Sequence, residues 1–270
     1  MKKFFALILA LAMALSLVAC GGGSSTDNGS GDGATTKQLR FVTGGESGTY
    51  YGFGSVIATH ATNNAGVSVV ALSSDGSKAN VFSLEENEAE LGFCQSDVMA
   101  YAYNGTNIFA DSGKVDCFSV LGALYTEQVQ IVTTNPDIKS VADLEGKSVS
   151  VGAPASGVYF NAVDILSAYG IGDLDADGKF TKINATYQSF GDSADALKNG
   201  QIDAAFIVAG APTTAVSDLA TTKSVNLVSL DDEHIEKLLS ASPYYTKCVI
   251  PADTYNMEAD VTTVGVGAVV

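Results

Sequence analysis

The chain passes from strand to helix within Leu39-Arg40-Phe41-Val42-Thr43-Gly44-Gly45-Glu46-Ser47-Gly48-Thr49-Tyr50-Tyr51. The β-rich run at its start predicts a strand, and apolar residues at helical spacing predict a helix over Tyr51–Thr62. Glycines in the intervening loop let backbone approach a ligand closely, and the helix start offers unpaired N–H groups. The stretch therefore predicts a loop suited to a small anion.

A second loop of the same design follows a predicted strand at Ser148–Val151. It reads Gly152-Ala153-Pro154-Ala155-Ser156-Gly157-Val158-Tyr159 and leads into another helix. Ligands in open α/β sheets bind beyond the carboxyl ends of strands, so we expect the two loops to face each other across a cleft. Plain connections are the alternative for either loop, since glycine-rich turns are common. The first loop lacks the Lys-Ser/Thr of a P-loop and the dinucleotide spacing, which disfavours nucleotides.

Short β-rich runs and helical patterns alternate from Leu39 onward, which predicts an α/β fold with a largely parallel sheet. About 230 residues remain from Gln38 on, enough for one large domain or two small ones. The predicted strands are Leu39–Thr43, Ser68–Leu72, Leu91–Gln95, Val129–Thr133, Ser148–Val151, Ile183–Ser189, Ala204–Val208 and Asn226–Ser229. The predicted helices include Tyr51–Thr62, Val158–Tyr169 and Ser193–Asn199. A second unit is expected to begin near Glu127–Thr134.

Residues 1–19 have the layout of an export signal, with two lysines, an apolar stretch and a small-residue cleavage site. The stretch is too short to favour a membrane-spanning helix. Leu17-Val18-Ala19-Cys20 resembles the bacterial lipobox, which implies lipidation of Cys20; an ordinary signal cleaved nearby is the alternative. Residues 20–38 are rich in Gly and Ser and predict a flexible linker. We therefore expect an exported protein, anchored on the outer face of the cell membrane or in the periplasm.

Composition excludes several classes of function. The formal net charge is −16, and removal of Lys2 and Lys3 would make it −18, so a basic face for nucleic acid or anionic lipid is not expected. His60 and His234 are isolated, and the three remaining cysteines lack zinc spacing. We predict no metal and no cofactor, and buried thiols rather than a disulfide. Asp173–Gly178 matches half of an EF-hand loop but lacks its final Glu, so a solvated acidic turn is preferred to calcium.

Many ordered motifs carry a family resemblance over the mature chain. They are Thr43-Gly44-Gly45 through Tyr50-Tyr51, Ser74-Asp75-Gly76-Ser77-Lys78-Ala79-Asn80, Leu91-Gly92-Phe93-Cys94-Gln95-Ser96-Asp97, Asp143-Leu144-Glu145-Gly146-Lys147 leading to Ser156-Gly157, Leu197-Lys198-Asn199-Gly200-Gln201-Ile202-Asp203-Ala204-Ala205-Phe206, Gly210-Ala211-Pro212, Ile250-Pro251-Ala252-Asp253-Thr254-Tyr255 and Thr262-Thr263-Val264-Gly265-Val266. From Leu39 to its end the chain resembles the TAXI family of TRAP-transporter solute-binding proteins.

The resemblance implies a two-lobed periplasmic-binding-protein type II fold, with mixed, mostly parallel sheets and a hinge between the lobes. The implied division is lobe I at 39–128, lobe II at 129–230, and a return to lobe I at 231–270. Strands near Val129–Thr133 and Asn226–Leu230 are expected to cross between the lobes. Family members usually continue for several tens of residues beyond Val264–Val266, so the chain is expected to be truncated at its C-terminus.

The resemblance further implies a monomeric receptor, not an enzyme, that hands a small carboxylate-bearing solute to membrane permease subunits of a TRAP transporter. The solute would be an amino acid such as glutamate or glutamine, or a dicarboxylate. The expected ligand contacts are Thr43, Gly45, Ser47, Gly48, Thr49, Tyr50, Gln95, Ser156, Gly157, Val158, Tyr159 and Gly210. Two alternatives are a lipid-anchored surface protein without a solute and a hydrolase using Ser47 with His60 or His234.

The chain has a single arginine, and its position indicates how a carboxylate would be bound. Arg40 starts the first strand, away from its carboxyl end, so it is expected at the surface rather than on a carboxylate. Backbone N–H groups and Ser, Thr and Tyr hydroxyls would then hold the solute. Aromatics such as Tyr51 and Phe160 are expected either to line the cleft or to lie in the core. Asp97 is expected either to face the crevice or to cap a helix.

Overall fold

The computed structural model describes residues 37–270, in which eleven strands and seven helices form. The strands are β1 (Leu39–Val42), β2 (Val69–Leu72), β3 (Leu91–Gly92), β4 (Cys94–Gln95), β5 (Ala123–Thr133), β6 (Ser148–Ser150), β7 (Asn184–Thr186), β8 (Ala204–Ala209), β9 (Asn226–Leu227), β10 (Thr246–Ile250) and β11 (Val261–Val269). The helices are α1 (Thr49–Asn64), α2 (Ser77–Glu85), α3 (Ser96–Asn104), α4 (Gly157–Ala168), α5 (Phe190–Lys198), α6 (Thr214–Ala220) and α7 (Asp232–Ala241).

The predicted export signal at 1–19, the predicted lipidation at Cys20 and the predicted linker at 20–38 lie outside the described residues, except for Lys37 and Gln38. Within 37–270 no helix combines the length and apolar character that a membrane crossing requires. Those predictions therefore stay predictions.

The first lobe, which we call the small-sheet lobe, is built on the parallel sheet β2-β1-β3 together with α1, α2 and α3. Phe41 of β1 is fully buried and stacks on Phe93, with 5.1 Å between ring centroids. A second apolar cluster joins α2 and α3 through Val81, Val98 and Ala102. Parallel pairing directs the carboxyl ends of β1 and β2, and the loops that follow them, to one edge of the sheet.

The second lobe, the large-sheet lobe, is built on a mixed sheet of order β10-β11-β5-β8-β6-β7. β8 is buried along its whole length, because helices cover both faces of the sheet. One core lies under α4 and α7 and includes Ile165 and Ile235. The other core includes Leu197 of α5 and Val216 of α6.

Two strands, β5 and β11, connect the lobes. They form one antiparallel ladder from Gln128–Gly265 to Ala123–Val269. At the end of this ladder Ala268 and Val269 also pair with Gln95 and Cys94 of β4, directly after the small sheet. Ala268 packs in one apolar cluster with Phe41, Tyr50 and Phe93. The ladder is therefore the structural link on which any movement between lobes must turn.

The alternation of strands and helices is confirmed, with differences that have physical reasons. Leu91–Gln95 is not one strand, because Phe93 turns into the core and the chain changes sheets there. β5 begins six residues before the predicted Val129, since its exposed first half lacks an apolar signal. The large sheet contains antiparallel ladders around β5 and β11 as well as parallel ones. Asn226–Leu230 does not cross between lobes, because β9 pairs with the far end of β5; β11 makes the second crossing.

The preferred prediction of buried thiols is confirmed for Cys94 and is wrong for Cys117. Cys94 is buried, Cys117 is exposed and Cys248 is half-buried, and all three are free thiols. The alternative of one disulfide bridge is therefore wrong for this structure.

The ladder between the lobes depends on a glycine. A Cβ at Gly265 would lie 2.6 Å from the Glu127 carbonyl oxygen and 2.7 Å from Thr126 Cγ2, both on the neighbouring strand. We expect Gly265→Ala to lower the free energy of unfolding by about 1–3 kcal/mol, because β5 must shift. Urea denaturation measures this change.

Gly267→Ala, two residues along the same strand, is the matched control. A Cβ there would lie 3.3 Å from the Ser96 hydroxyl oxygen, a longer contact than those at Gly265 and one with a side chain rather than backbone. Gly267→Ala should lower the free energy of unfolding clearly less than Gly265→Ala does. Equal losses in the two variants would show that close packing at Gly265 is not the constraint.

Candidate functional site

The loops after four strands meet at one cavity between the lobes. The cavity encloses about 80 Å³, which is room for roughly five waters or a solute of comparable size. Its wall is formed by Gly44, Gly45, Gly48, Thr49, Tyr50, Ser74, Asp75, Gly76, Ser77, Gln95, Glu127, Ala153, Ser156, Gly157, Val158, Gln188, Ser189, Phe190, Val208 and Ala209. Both lobes contribute, so a solute in this cavity would be enclosed by both.

Four helices with a Gly or Ser N-cap begin at this wall, α1, α2, α4 and α5, and α3 begins there with Gln95. The N-cap residues of α1 and α2 are Gly48 and Gly76, which have no side chain to accept from the first-turn N–H groups. Ser156 and Ser189 cap α4 and α5, each accepting one hydrogen bond from the third residue on. The first turn of a helix has unpaired N–H groups and the positive end of the dipole. This part of the wall is therefore suited to a negative charge.

The wall also contains an acidic residue, Glu127, on the crossing strand β5. Its side chain is 2% exposed and accepts a hydrogen bond from the Tyr50 hydroxyl at 3.3 Å. Burial raises the pKa of Glu127 to about 8, against the opposing effect of the neighbouring Gln95 and Tyr50 side chains. The carboxyl group therefore holds its proton at neutral pH when the cavity contains only water.

Gln95 lies beside Glu127 at the start of α3 and is also 2% exposed. Its side-chain Oε1 accepts no hydrogen bond from any described residue. A buried acceptor without a donor costs about 1–3 kcal/mol. An unpaired buried atom in a cavity wall indicates a missing partner in the cavity.

The two lobes contact each other directly around the cavity. The Thr49 hydroxyl donates to the Gly210 carbonyl oxygen at 2.9 Å, and Ala215 N–H donates to the Ser47 carbonyl oxygen at 3.1 Å. On the other side, Ala79 N–H donates to the Ala155 carbonyl oxygen at 3.2 Å. These bonds join loops of opposite lobes, so the structure has the cleft closed.

A buried polar chain reinforces this closure behind the cavity. Asn161 of α4 donates to Asp97 Oδ2 of α3 at 3.0 Å and to the Tyr245 hydroxyl at 2.9 Å, and Tyr245 donates to Asp164. Burial raises the pKa of Asp97 to about 6. The helix-cap interpretation of Asp97 is wrong, because the N-cap of α3 is Gln95 and Asp97 points to the other lobe.

The sequence model of the NMT1-like family matches residues 41–270. The chain belongs to the NMT1-like family.

Solved structures resemble this NMT1-like protein in fold. A protein from Bordetella bronchiseptica RB50 has a TM-score of 0.51 at 16% identity, over 86% of this chain and 63% of that one. An ancestral arginine-binding protein bound to arginine has a TM-score of 0.50 at 15% identity, over 86% and 84%. The alkanesulfonate-binding protein SsuA from Xanthomonas axonopodis pv. citri, bound to MOPS, has a TM-score of 0.45 at 18% identity, over 71% and 60%.

The first two likenesses confirm the predicted two-lobed periplasmic-binding-protein fold of mixed α/β class. The NMT1-like chain spans less than two thirds of the length of the Bordetella and Xanthomonas proteins.

Two thirds of the site residues predicted from the sequence lie in the cavity wall of this NMT1-like protein. They are Gly45, Gly48, Thr49, Tyr50, Gln95, Ser156, Gly157 and Val158. The other four lie behind it. Thr43 donates to the Leu72 carbonyl oxygen, and Ser47 and Gly210 use their carbonyl oxygens to join the lobes. Tyr159 packs on Phe160 and Tyr187. Ligand contact by any of the twelve stays a prediction.

Three parts of the wall were not predicted. The loop Ser74–Ser77 has the same strand, glycine and helix order as the two predicted loops, and that order was the available signal. Gln188–Phe190 leads into α5, which begins at Phe190; its first turn was missed because predicted helix Ser193–Asn199 begins three residues late. Glu127 was missed because an acid in an alternating strand normally faces solvent.

Other predicted features lie away from the cavity. Arg40 pairs with Glu90 at 3.1 Å near the start of β1, as expected for a surface residue. In the acidic turn, Asp175 Oδ1 accepts from the N–H groups of Asp177 and Lys179, and Asp173 pairs with Lys182. Among the described residues no group of His, Cys, Asp and Glu has the arrangement of a metal site. His60 and His234 hydrogen-bond Asn64 and Asp231 rather than Ser47, which gives no support to a hydrolase.

The protonation of Glu127 predicts how stability depends on pH. The pKa of Glu127 is about 8 in the folded chain and near its ordinary 4.5 once unfolded. Between these values the folded state binds more protons, so the free energy of unfolding should fall as pH rises from about 5 to above 8. The change should be on the order of a few kcal/mol. Urea denaturation of the unliganded protein across this range measures it.

Glu127→Gln keeps the shape of the side chain and removes its titratable group. The free energy of unfolding should therefore fall less steeply above pH 6.5 than in the wild type. Asp97, with a pKa of about 6, adds a decline of the same sign at lower pH. Glu258→Gln, at an exposed position, is the matched control and should keep the wild-type slope. Parallel slopes for Glu127→Gln and wild type would contradict a protonated Glu127.

Proposed function

We propose that this chain is an extracytoplasmic solute receptor that binds a small carboxylate-bearing solute, an amino acid or a dicarboxylate, between its lobes. The observation that carries the proposal is the convergence of four helix starts on one cavity closed by both lobes. Anions bind at helix starts because N–H groups and the dipole both favour negative charge. The likeness in fold to an ancestral arginine-binding protein that is bound to arginine supports a small solute of this class.

The chemistry of the wall supports a carboxylate held without a cationic side chain. None of the described residues of the wall is Lys, Arg or His. Backbone N–H groups of α1, α2 and α4, with the hydroxyl of Ser77, would then supply the hydrogen bonds. Charge-assisted bonds of this kind are shorter and stronger than neutral ones.

The finer proposal concerns the partners. Resemblance to the TAXI family supports delivery of the solute to the permease of a TRAP-type transporter, from a protein anchored through Cys20. We also propose a lobe boundary between 39–128 and 129–230. The segment 231–270, expected to return to lobe I, instead packs α7 and β10 on the large-sheet lobe, and only the end of β11 reaches the small-sheet lobe. Opening would turn on β5 and β11, because these strands join the lobes.

Solute binding should be visible as stabilisation. A solute present at a hundred times its dissociation constant adds about 2.7 kcal/mol to the free energy of unfolding. We expect at least one small carboxylate to raise the melting temperature in a panel of amino acids, amides, dicarboxylates, 2-oxoacids and sugars. Small-angle scattering should show a more compact protein with that solute than without it. A well-folded protein that none of the panel stabilises would contradict the receptor function.

Closure requires a residue without a side chain at position 157. A Cβ on Gly157 of the large-sheet lobe would overlap the side-chain amide of Gln95 on the small-sheet lobe. Gly157→Ala should therefore prevent full closure and weaken binding of the panel's best solute by about tenfold or more, which corresponds to roughly 1.4 kcal/mol. Calorimetry measures the change.

Gly52→Ala, on the exposed face of α1 where nothing lies within 4 Å of the new Cβ, is the matched control. It should bind as the wild type does. Wild-type affinity in Gly157→Ala would show that the closed arrangement is not the binding state.

A further inference from the structure

The cavity wall contains two buried hydrogen-bond acceptors, Glu127 and Gln95, as well as helix starts. Glu127 and Gln95 lie side by side, and each is almost fully buried. The Tyr50 hydroxyl donates to Glu127, whereas Gln95 Oε1 has no donor among the described residues. The described wall has no cationic side chain to pair with the Glu127 carboxylate. A donor or a positive charge is therefore missing beside these acceptors.

The strand register explains why the two acceptors are neighbours. Gln95 pairs with Ala268, and Glu127 pairs with Val266, two residues earlier on the same strand. Residues two apart on a strand, and residues paired across strands, lie on the same face of a sheet. Both side chains therefore face the cavity from one surface of the β4-β11-β5 ladder.

Two kinds of ligand group could meet these acceptors. A ligand hydroxyl could accept from protonated Glu127 and donate to Gln95 Oε1, but it brings no positive charge. A protonated amine has three N–H donors, enough for Glu127 and Gln95 together. It also supplies the positive charge that a buried carboxylate requires, and the described wall has no cationic side chain to supply it. This charge favours the amine.

We propose that Glu127 and Gln95 form the subsite for a protonated amino group of the solute. The receptor would then select a zwitterion, with its carboxylate at the helix starts and its amine at Glu127, over dicarboxylates and 2-oxoacids. This inference rests on the proposed function and narrows its ligand class.

Proton release should accompany binding. The titratable groups that face Glu127 are Tyr50 of α1, Tyr125 of β5, Asp97 of α3 and Cys94 of β4. None of these is a cation, so the bound amine is the group that would draw the proton from Glu127. Affinity for the amine should rise between pH 6 and 8. A ligand oxygen that accepts from protonated Glu127 would show the opposite trend, with affinity falling through pH 8.

The experiment compares solutes that differ only in the amine. Full-length chain is titrated by calorimetry with glutamate against 2-oxoglutarate, and with alanine against pyruvate, in two buffers of different ionisation enthalpy. The amino acid of a binding pair should bind at least about tenfold more tightly than its oxo partner and release protons to the buffer. Glu127→Gln should lose about tenfold to a hundredfold in affinity for the amino acid.

Two further variants complete the design. Gln95→Met keeps the volume and removes the acceptor, so it should weaken amino-acid binding by about tenfold; it also serves if Glu127→Gln does not fold. Glu258→Gln is the matched surface control and should bind normally. Melting curves establish that each variant is folded.

The outcomes separate the two proposals. If no solute in either pair or in the wider panel binds, the receptor function fails and the amine subsite with it. If an oxo acid binds as tightly as its amino acid, or if affinity survives in Glu127→Gln and Gln95→Met, the receptor function stands and the amine subsite is overturned. Affinity that falls between pH 6 and 8 also overturns it.

Discussion

The pairing of β11 with both β4 and β5 is the constraint on which the site depends. It joins the lobes, and it sets the positions of Gln95 and Glu127 through Ala268 and Val266 of a single strand. A slip of one residue would turn both acceptors to the other face of the sheet. Gly265 allows the close approach of these strands, since a Cβ there would contact β5. One ladder thus determines both the hinge and half of the cavity wall.

The cavity is electrically polarised by its construction. Helix starts from α1, α2, α4 and α5 place partial positive charge on one part of the wall. Glu127 adds an acid to the wall, Asp97 lies behind the cavity, and burial raises the pKa of both. An ionised acid without a partner is costly in a buried position, so each remains protonated more readily than in water. In the unliganded protein Glu127 therefore stays protonated at neutral pH, and a bound cation would favour its ionised form.

Features of the fold and site that rest on local sequence patterns could be predicted, whereas those that rest on pairing between distant residues could not. The loops at 43–50 and 152–159 were predicted because a glycine between a strand and a helix is a local pattern. The alternation of elements likewise predicted the α/β class, whereas the two lobes were implied by the family resemblance. The pairing of β4 with β11, more than 170 residues apart, is not local, and together with the pairing of β11 with β5 it brings Gln95 beside Glu127. The role of Glu127 was hidden for that reason, since a strand acid normally marks a solvent-facing position.

The unpaired Gln95 acceptor connects ligand choice with closure. Gln95 Oε1 is buried against Gly157 only because the lobes meet there. In an open cleft water would satisfy this oxygen, so closing without a donor in the cavity costs about 1–3 kcal/mol. A solute that supplies the donor removes this cost, and one that lacks the donor does not. A ligand shifts an equilibrium only by its difference in affinity for the two states. The acceptor that distinguishes solutes would therefore also bias the lobes toward the open state until a matching solute is bound.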